Sequence, residues 1–290
     1  MKSFTSRNRC RDIKRIIVVI SLIVTMSCTL TGCQMIKEIL GVQNEEVNST
    51  SNMEYTITLK QWNEYSRKWG EITRTGVYSG QLVKGIPEGE GTFKAINDQG
   101  ESWSYTGEFS EGTFSGYGKV EWNNGLCEEG TYTNGAYTPL EDELFCVVGT
   151  RSQAPFTITE NNRRFIRENK DIFNSEKTFD YEALIDYSIT PAMMKDNIEN
   201  VEENLYCCIE ASVEEIYENS MYGHSIAFVL ARDYEGYLYV LVYDGELEDV
   251  VEQGIVTFTG LPVANSCFEN NYGEISDAIV IVAADITGIW

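Results

Sequence analysis

Cys33, one of eight cysteines, and a single histidine are where the nucleophilic chemistry of this chain is first sought. Cys33 closes a largely apolar run, Ile16 to Leu30, through the residues Leu30-Thr31-Gly32-Cys33. His224 is the only histidine, so no Ser/His/Asp or Cys/His arrangement can be assembled from several candidates. Carboxylates abound, 45 Asp and Glu against 22 Lys and Arg, and a paired-carboxylate hydrolysis of glycosidic bonds is the one catalytic scheme that counting leaves open. There is no CxxC pair for zinc, and no glycine-rich phosphate loop joins a strand to a helix. No metal and no cofactor is expected. Aromatic side chains are the remaining chemistry: Tyr237, Tyr239 and Tyr243 recur along one strand, and Tyr222, His224, Phe268 and Tyr272 fall in flanking loops. Rings of this kind stack on sugars or bases, or else fill a core.

Ahead of Cys33, residues 1–15 carry six basic side chains and one acid. A basic head, a short apolar body and a small-residue exit make a secretory signal, and the body is shorter than the roughly 20 residues of a membrane span. The ending Leu30-Thr31-Gly32-Cys33 resembles the lipobox of bacterial lipoproteins. That resemblance implies removal of residues 1–32, a diacylglycerol on Cys33, and a membrane partner reached through that lipid on the extracytoplasmic face. Without residues 1–32 the count is 16 basic against 44 acidic side chains, a net charge of −28. Such a surface repels phosphate backbones, so no nucleic-acid partner is expected. Residues 33–53 read as a polar tether.

Repeats dominate the next stretch. Tyr78-Ser-Gly80, Gly85, Gly89-Glu-Gly91 and Phe93 recur 27 residues later as Tyr105-Thr-Gly107, Gly112, Gly116-Tyr-Gly118 and Val120. A third start follows after 23 residues, with Glu128 in the aromatic position, then Gly130 and Gly135, before Pro139 breaks the pattern. Lys84-Gly85, Glu111-Gly112 and Asn134-Gly135 supply hairpin turns. The pattern resembles the MORN repeat, a β-hairpin module. The resemblance implies a short hairpin array over 54–140, needing caps at both ends because arrays bury a continuous core only with about three units.

A helical connector is expected over 141–198. Thr157-Ile-Thr-Glu160 has capping-box spacing and opens a helix through Phe173, and Pro191 begins a second. Over 199–290 the residues alternate as in an all-β unit. Strands are expected at Leu205–Val213, Ser225–Ala231, Tyr237–Tyr243, Gly254–Gly260 and Ala278–Ala284, with Asp233-Tyr-Glu-Gly236 as a turn. The layout resembles the OB-like domains of Firmicute lipoproteins.

The fold class expected is therefore mainly β: a short MORN β-hairpin array, a helical connector and a small five-stranded OB-like β-barrel. The function expected is a non-catalytic, lipid-anchored binding or scaffolding module at the cell membrane, engaging a cell-surface protein or wall glycan. Its binding residues would be Tyr222, His224, Tyr237, Tyr239, Tyr243, Phe268 and Tyr272. A wall-carbohydrate hydrolase and a self-assembling spacer are the alternatives.

Overall fold

The computed structural model describes residues 47–174, 181–269 and 275–289. Nearly all of them belong to one compact unit, Asn48–Trp290. The signal segment, Cys33 and Tyr272 lie outside the described residues, as does the Phe268 side chain. Among the described residues no helix is long and apolar enough to cross a membrane.

The first half is a sheet of seven strands: β1 (Val47–Asn63), β2 (Lys68–Val83), β3 (Ile86–Ile96), β4 (Ser102–Ser110), β5 (Thr113–Trp122), β6 (Cys127–Thr133) and β7 (Ala136–Tyr137). Each strand pairs with the next, and β1 returns to β7 to close a barrel. Closure rests on a parallel bridge between Lys60 and Ala136, with Lys60 N–H donating to the Gly135 carbonyl at 2.9 Å. Thr113 Oγ1 also donates to the Thr58 carbonyl at 2.9 Å. An open hairpin array with separate caps was expected, and this corrects it. The two edges meet at this bridge, where each supplies backbone groups to the other in place of a separate cap. β1 also begins at Val47, inside the stretch read as a tether.

The repeat glycines explain why this sequence pairs in this register. Gly80, Gly91, Gly107, Gly118 and Gly130 are successive cross-strand partners on β2 to β6. They make room for the repeat tyrosines, which fold down along the row. A methyl on Gly118 would lie 2.3 Å from the Tyr105 hydroxyl, and one on Gly91 2.6 Å from the Tyr78 ring. Tyr78 then donates to the Gln81 carbonyl at 2.6 Å, and Tyr105 to the Glu108 carbonyl at 2.8 Å, the same bond in both repeats. Burial, and then the charge of Glu88, push the Tyr78 hydroxyl up to about 12, so it remains a donor. The turns behave as the sequence implies. Lys84-Gly85, Glu111-Gly112 and Asn134-Gly135 all have positive φ at both positions, the signature of type I′ hairpins.

The second half closes a further five-stranded sheet: β8 (Tyr206–Met221), β9 (His224–Asp233), β10 (Leu238–Asp244), β11 (Ile255–Glu269) and β12 (Ile275–Ile289), in the order β10-β12-β11-β8-β9. Pairings are antiparallel except β10 with β12, which is parallel. The fold is thus mainly β, and its larger closed sheet is the seven-stranded one. It is not a single five-stranded barrel carrying an open array. Gly260 sits at a register shift in β11. A methyl there would lie 2.5 Å from Ile281 and the Val282 carbonyl, so glycine permits the close crossing.

Three α-helices among the described residues join the sheets: α1 (Glu141–Arg151), α2 (Glu160–Glu168) and α3 (Pro191–Asp196). α1 was not anticipated. Glu143 in its first turn accepts hydrogen bonds from Leu140 N–H (2.8 Å) and Thr131 N–H (2.9 Å), which docks the helix on β6. The neighbouring Asp142, fully buried, accepts from Arg163 Nε (3.0 Å) and Arg167 (2.7 Å) of α2. The α2 cap is Thr159, accepting from Asn162 N–H, and the helix stops at Glu168. It therefore starts two residues later, and ends earlier, than the capping-box spacing implied. The stretch up to Ile158 instead buries Phe156 and Ile158 in the core. The expected start at Pro191 holds, with Thr190 as its cap.

Candidate binding cavity in the seven-stranded sheet

The turns β1–β2, β3–β4 and β5–β6 lie at one end of the closed sheet, and around them the sequence places tryptophans. Trp62 ends β1, Trp69 begins β2, Trp103 begins β4 and Trp122 ends β5. All four line one cavity of about 530 Å³. The chain has five tryptophans, the fifth being Trp290. Barrel mouths are a recurrent place for ligand sites, and about 300–1,000 Å³ is the usual size.

The rings meet one another edge to face. Trp62 and Trp69 have centroids 5.4 Å apart at 65°, and Trp103 meets Phe114 at 6.2 Å and 83°. Trp103 and Trp122 are cross-strand partners. Trp69 keeps 38% of its surface exposed, so part of it faces solvent.

Charge enters the cavity in the third repeat. Tyr78, Phe93, Tyr105, Val120 and Glu128 form one cross-strand row. Glu128 stands where repeats one and two stack a tyrosine. Its carboxylate pairs with Arg151 at the end of α1, 2.5 Å away, and accepts a short hydrogen bond from the Tyr222 hydroxyl. The Arg151 guanidinium lies 5.6 Å from the Tyr222 ring centroid, a cation–π contact. Burial, then the Glu128 charge, drive the Tyr222 hydroxyl well above the tyrosine range and keep it protonated. Burial also works against the charge on Arg151, but the Glu128 carboxylate bonded to it holds the guanidinium cationic. At the rim, Arg74 pairs with Asp98 at 2.9 Å.

Tyr222 belongs to the second sheet. It sits at the β8–β9 turn with positive φ, and its ring packs 4.8 Å from Tyr137 of β7. Trp62 Nε1 donates to the Ser220 carbonyl on β8 at 3.1 Å. One hairpin tip of the five-stranded sheet thus forms part of the wall of the cavity in the other.

The residues singled out from sequence separate. Tyr222 lines this cavity, by its ring and its bond to Glu128. Tyr239 and Tyr243 do not present a binding face, which corrects the expectation of an aromatic strand surface. Both are buried inside the five-stranded sheet, Tyr239 stacked 6.0 Å from Tyr206 and donating to Asp233 at 2.8 Å. Tyr237 packs half-buried on the same core. Every residue of β10 is buried, because α1 and α2 cover its outer face with Leu144, Phe145, Val148 and Phe165. The run Tyr237–Tyr243 carried that signal, being apolar at almost every position rather than at alternate ones.

His224 stands apart from the cavity lining. Its Nδ1 lies 2.8 Å from Asp244, a buried carboxylate, and that hydrogen bond raises the histidine above its ordinary value against the opposing effect of burial. A folded-state value raised above the unfolded one means the pair stabilises fully below about pH 6.5. That contribution is lost as pH rises through the raised folded value. The urea midpoint of the native protein should therefore exceed that of His224→Gln by more at about pH 5.5 than at about pH 8.5. An equal gap at both would show the pair carries no linkage.

Sequence reasoning missed the four tryptophans as a group, since they span sixty residues and meet only when the sheet closes. It also recorded Glu128 as a lapse in the repeat rather than as a site. Among the described residues no cluster of three or more metal-ligating side chains occurs. No curated protein and no solved structure matches the chain. The MORN repeat family model matches residues 78–97 and 105–127, so the two full repeats of the seven-stranded sheet are MORN repeats.

Proposed function

We propose that this chain is a lipid-anchored extracytoplasmic protein acting as a non-catalytic binding module, which holds a cell-surface protein or glycan in the mouth of its seven-stranded sheet. The observation that carries this reading is the convergence of four tryptophans, from β1, β2, β4 and β5, on one cavity with a partly buried ion pair in its wall. Aromatic anchors around a few fixed polar groups are what a recognition pocket needs. The lipobox residues Leu30 to Cys33 support the address. The strand order of 199–290, with its third and fifth strands parallel, supports an OB-like barrel. In this reading that barrel buttresses the cavity through Tyr222, and its Tyr206, Tyr239 and Tyr243 are core.

The test is retention on cell envelopes prepared without the protein. Full-length chain in detergent should be retained, and Trp69→Ala should weaken retention at least tenfold. Cys33→Ser in cells should shift the protein out of the membrane fraction. Equal retention of Trp69→Ala and native protein would sink the cavity as the binding site. A Cys33→Ser variant that stays fully membrane-bound would sink the lipid anchor.

A further inference from the structure

The geometry points to an uncharged oligosaccharide as the ligand of the tryptophan cavity, its ring faces lying on the indoles and its hydroxyls read by ion-paired side chains. This rests on the cavity being a binding site, as proposed above, and names what it takes.

Local charge is the first argument. The chain carries a net charge of −23, yet the ionic residues lining the cavity balance. Lys60, Arg74 and Arg151 face Glu64, Asp98 and Glu128. Two of each sign are already bonded to one another, Arg74 to Asp98 and Arg151 to Glu128. A polyanion or polycation would have to break those pairs to gain a partner, and would meet no net field of opposite sign within the pocket. A neutral ligand loses nothing by entering.

Polarity is the second. An acyl chain or an apolar peptide side chain could cover the indoles. It would also strip water from the Glu128–Arg151 pair without replacing its hydrogen bonds, which is costly for ionised groups. A pyranose avoids that cost because it has both surfaces. Its C–H faces pack on aromatic rings, while its hydroxyls donate to a carboxylate and accept from a guanidinium. Glu128 and Arg151 are held by each other and by Tyr222, so both offer hydrogen-bonding groups in fixed positions before any ligand arrives. Preorganised polar groups lose little freedom on binding.

Size is the third. A cavity of about 530 Å³ accommodates a short stretch of sugar rings. One wall is the β8–β9 tip, fastened by the Trp62–Ser220 bond. The ligand therefore enters by an end or a short branch.

Four of the five tryptophans line the cavity, so the protein carries its own reporter. Full-length chain in a polyoxyethylene detergent, which has no sugar headgroup to compete, would be titrated with chitotetraose, cellotetraose and maltotetraose. Tetragalacturonate is the anionic control. At least one neutral tetrasaccharide should give a saturable change in tryptophan emission, binding at least tenfold more tightly than tetragalacturonate. Trp69→Ala should weaken it tenfold or more while the folded far-UV circular dichroism spectrum is kept, because that side chain is partly exposed, and Trp62→Phe should weaken it less. The inference is overturned if no neutral tetrasaccharide alters emission or gives calorimetric heat, or if tetragalacturonate binds equally well. Should no tetrasaccharide bind while envelopes still retain the protein through Trp69, the cavity remains a binding site and its partner is a protein. Loss of both would remove the binding reading as well.

Discussion

Truncating Tyr105 to alanine is expected to lower stability by about 4 kcal/mol, within the range for deleting a fully buried aromatic ring. Its ring is completely buried and stacks on Phe114 with centroids 3.7 Å apart and planes 9° from parallel. Phe109 and Tyr132 meet it edge-on at 5.2 and 5.1 Å. The hydroxyl additionally closes the strand shift at Glu108 through its 2.8 Å bond. The glycine row leaves nothing to fill the space, since Gly107 and Gly118 have no side chains to collapse into it. Urea unfolding followed by far-UV circular dichroism would measure the loss. Tyr117→Ala, on neighbouring β5 but 47% exposed, should cost no more than about 0.5 kcal/mol. A Tyr105→Ala cost near that of Tyr117→Ala would refute the ring's role as the keystone of the sheet.

Arg151→Ala is the second large effect, at about 2–3 kcal/mol. Removing one partner of a fully buried ion pair costs about 3–5 kcal/mol. The figure is reduced here because the Arg151 and Glu128 side chains keep 29% and 15% of their surface accessible. The loss arises mainly from leaving the Glu128 carboxylate in an aromatic cavity with Tyr222 as its remaining donor. Glu128→Ala should cost less, since Arg151 can turn its guanidinium toward solvent. The double variant should cost less than the two singles together, with a coupling of about 1–2 kcal/mol for groups in direct contact. Strict additivity would mean the pair is a surface ornament, and that the cavity has no fixed polar wall.

Much of this architecture was legible because short-range rules governed it. Lys84-Gly85, Glu111-Gly112 and Asn134-Gly135 need no distant partner to form their turns, and the 27-residue spacing placed Tyr78 and Tyr105 on equivalent strands. All five expected strands of the C-terminal half are present. What the sequence could not convey depends on closure and on docking between sheets. β1 reads as a polar stretch at Val47–Met53, and only its pairing across the sheet makes it a strand. Tyr239 and Tyr243 looked like a presentable face because closure of the five-stranded sheet, which turns that side of β10 into its interior, is a tertiary event. Helix α1 has its own local signal in Glu141, Asp142 and Glu143, acids that suit a first turn. The tryptophan cavity was invisible for the simplest reason: no window of residues contains it.

Closure of the first sheet also limits how this gene could change. Open repeat arrays grow by tandem duplication, each copy adding a stable increment to its neighbour. Here Lys60 of β1 is bridged to Ala136 of β7. An additional hairpin copied into the array would require nine strands around a wider interior, since barrel diameter rises with strand number. The stack of Tyr105 on Phe114 and the reach of Arg151 to Glu128 would both be lost. The repeats are modular in ancestry but no longer in use: the ring must be inherited whole, and length variants among descendants should fall in its turns and not in its repeat number.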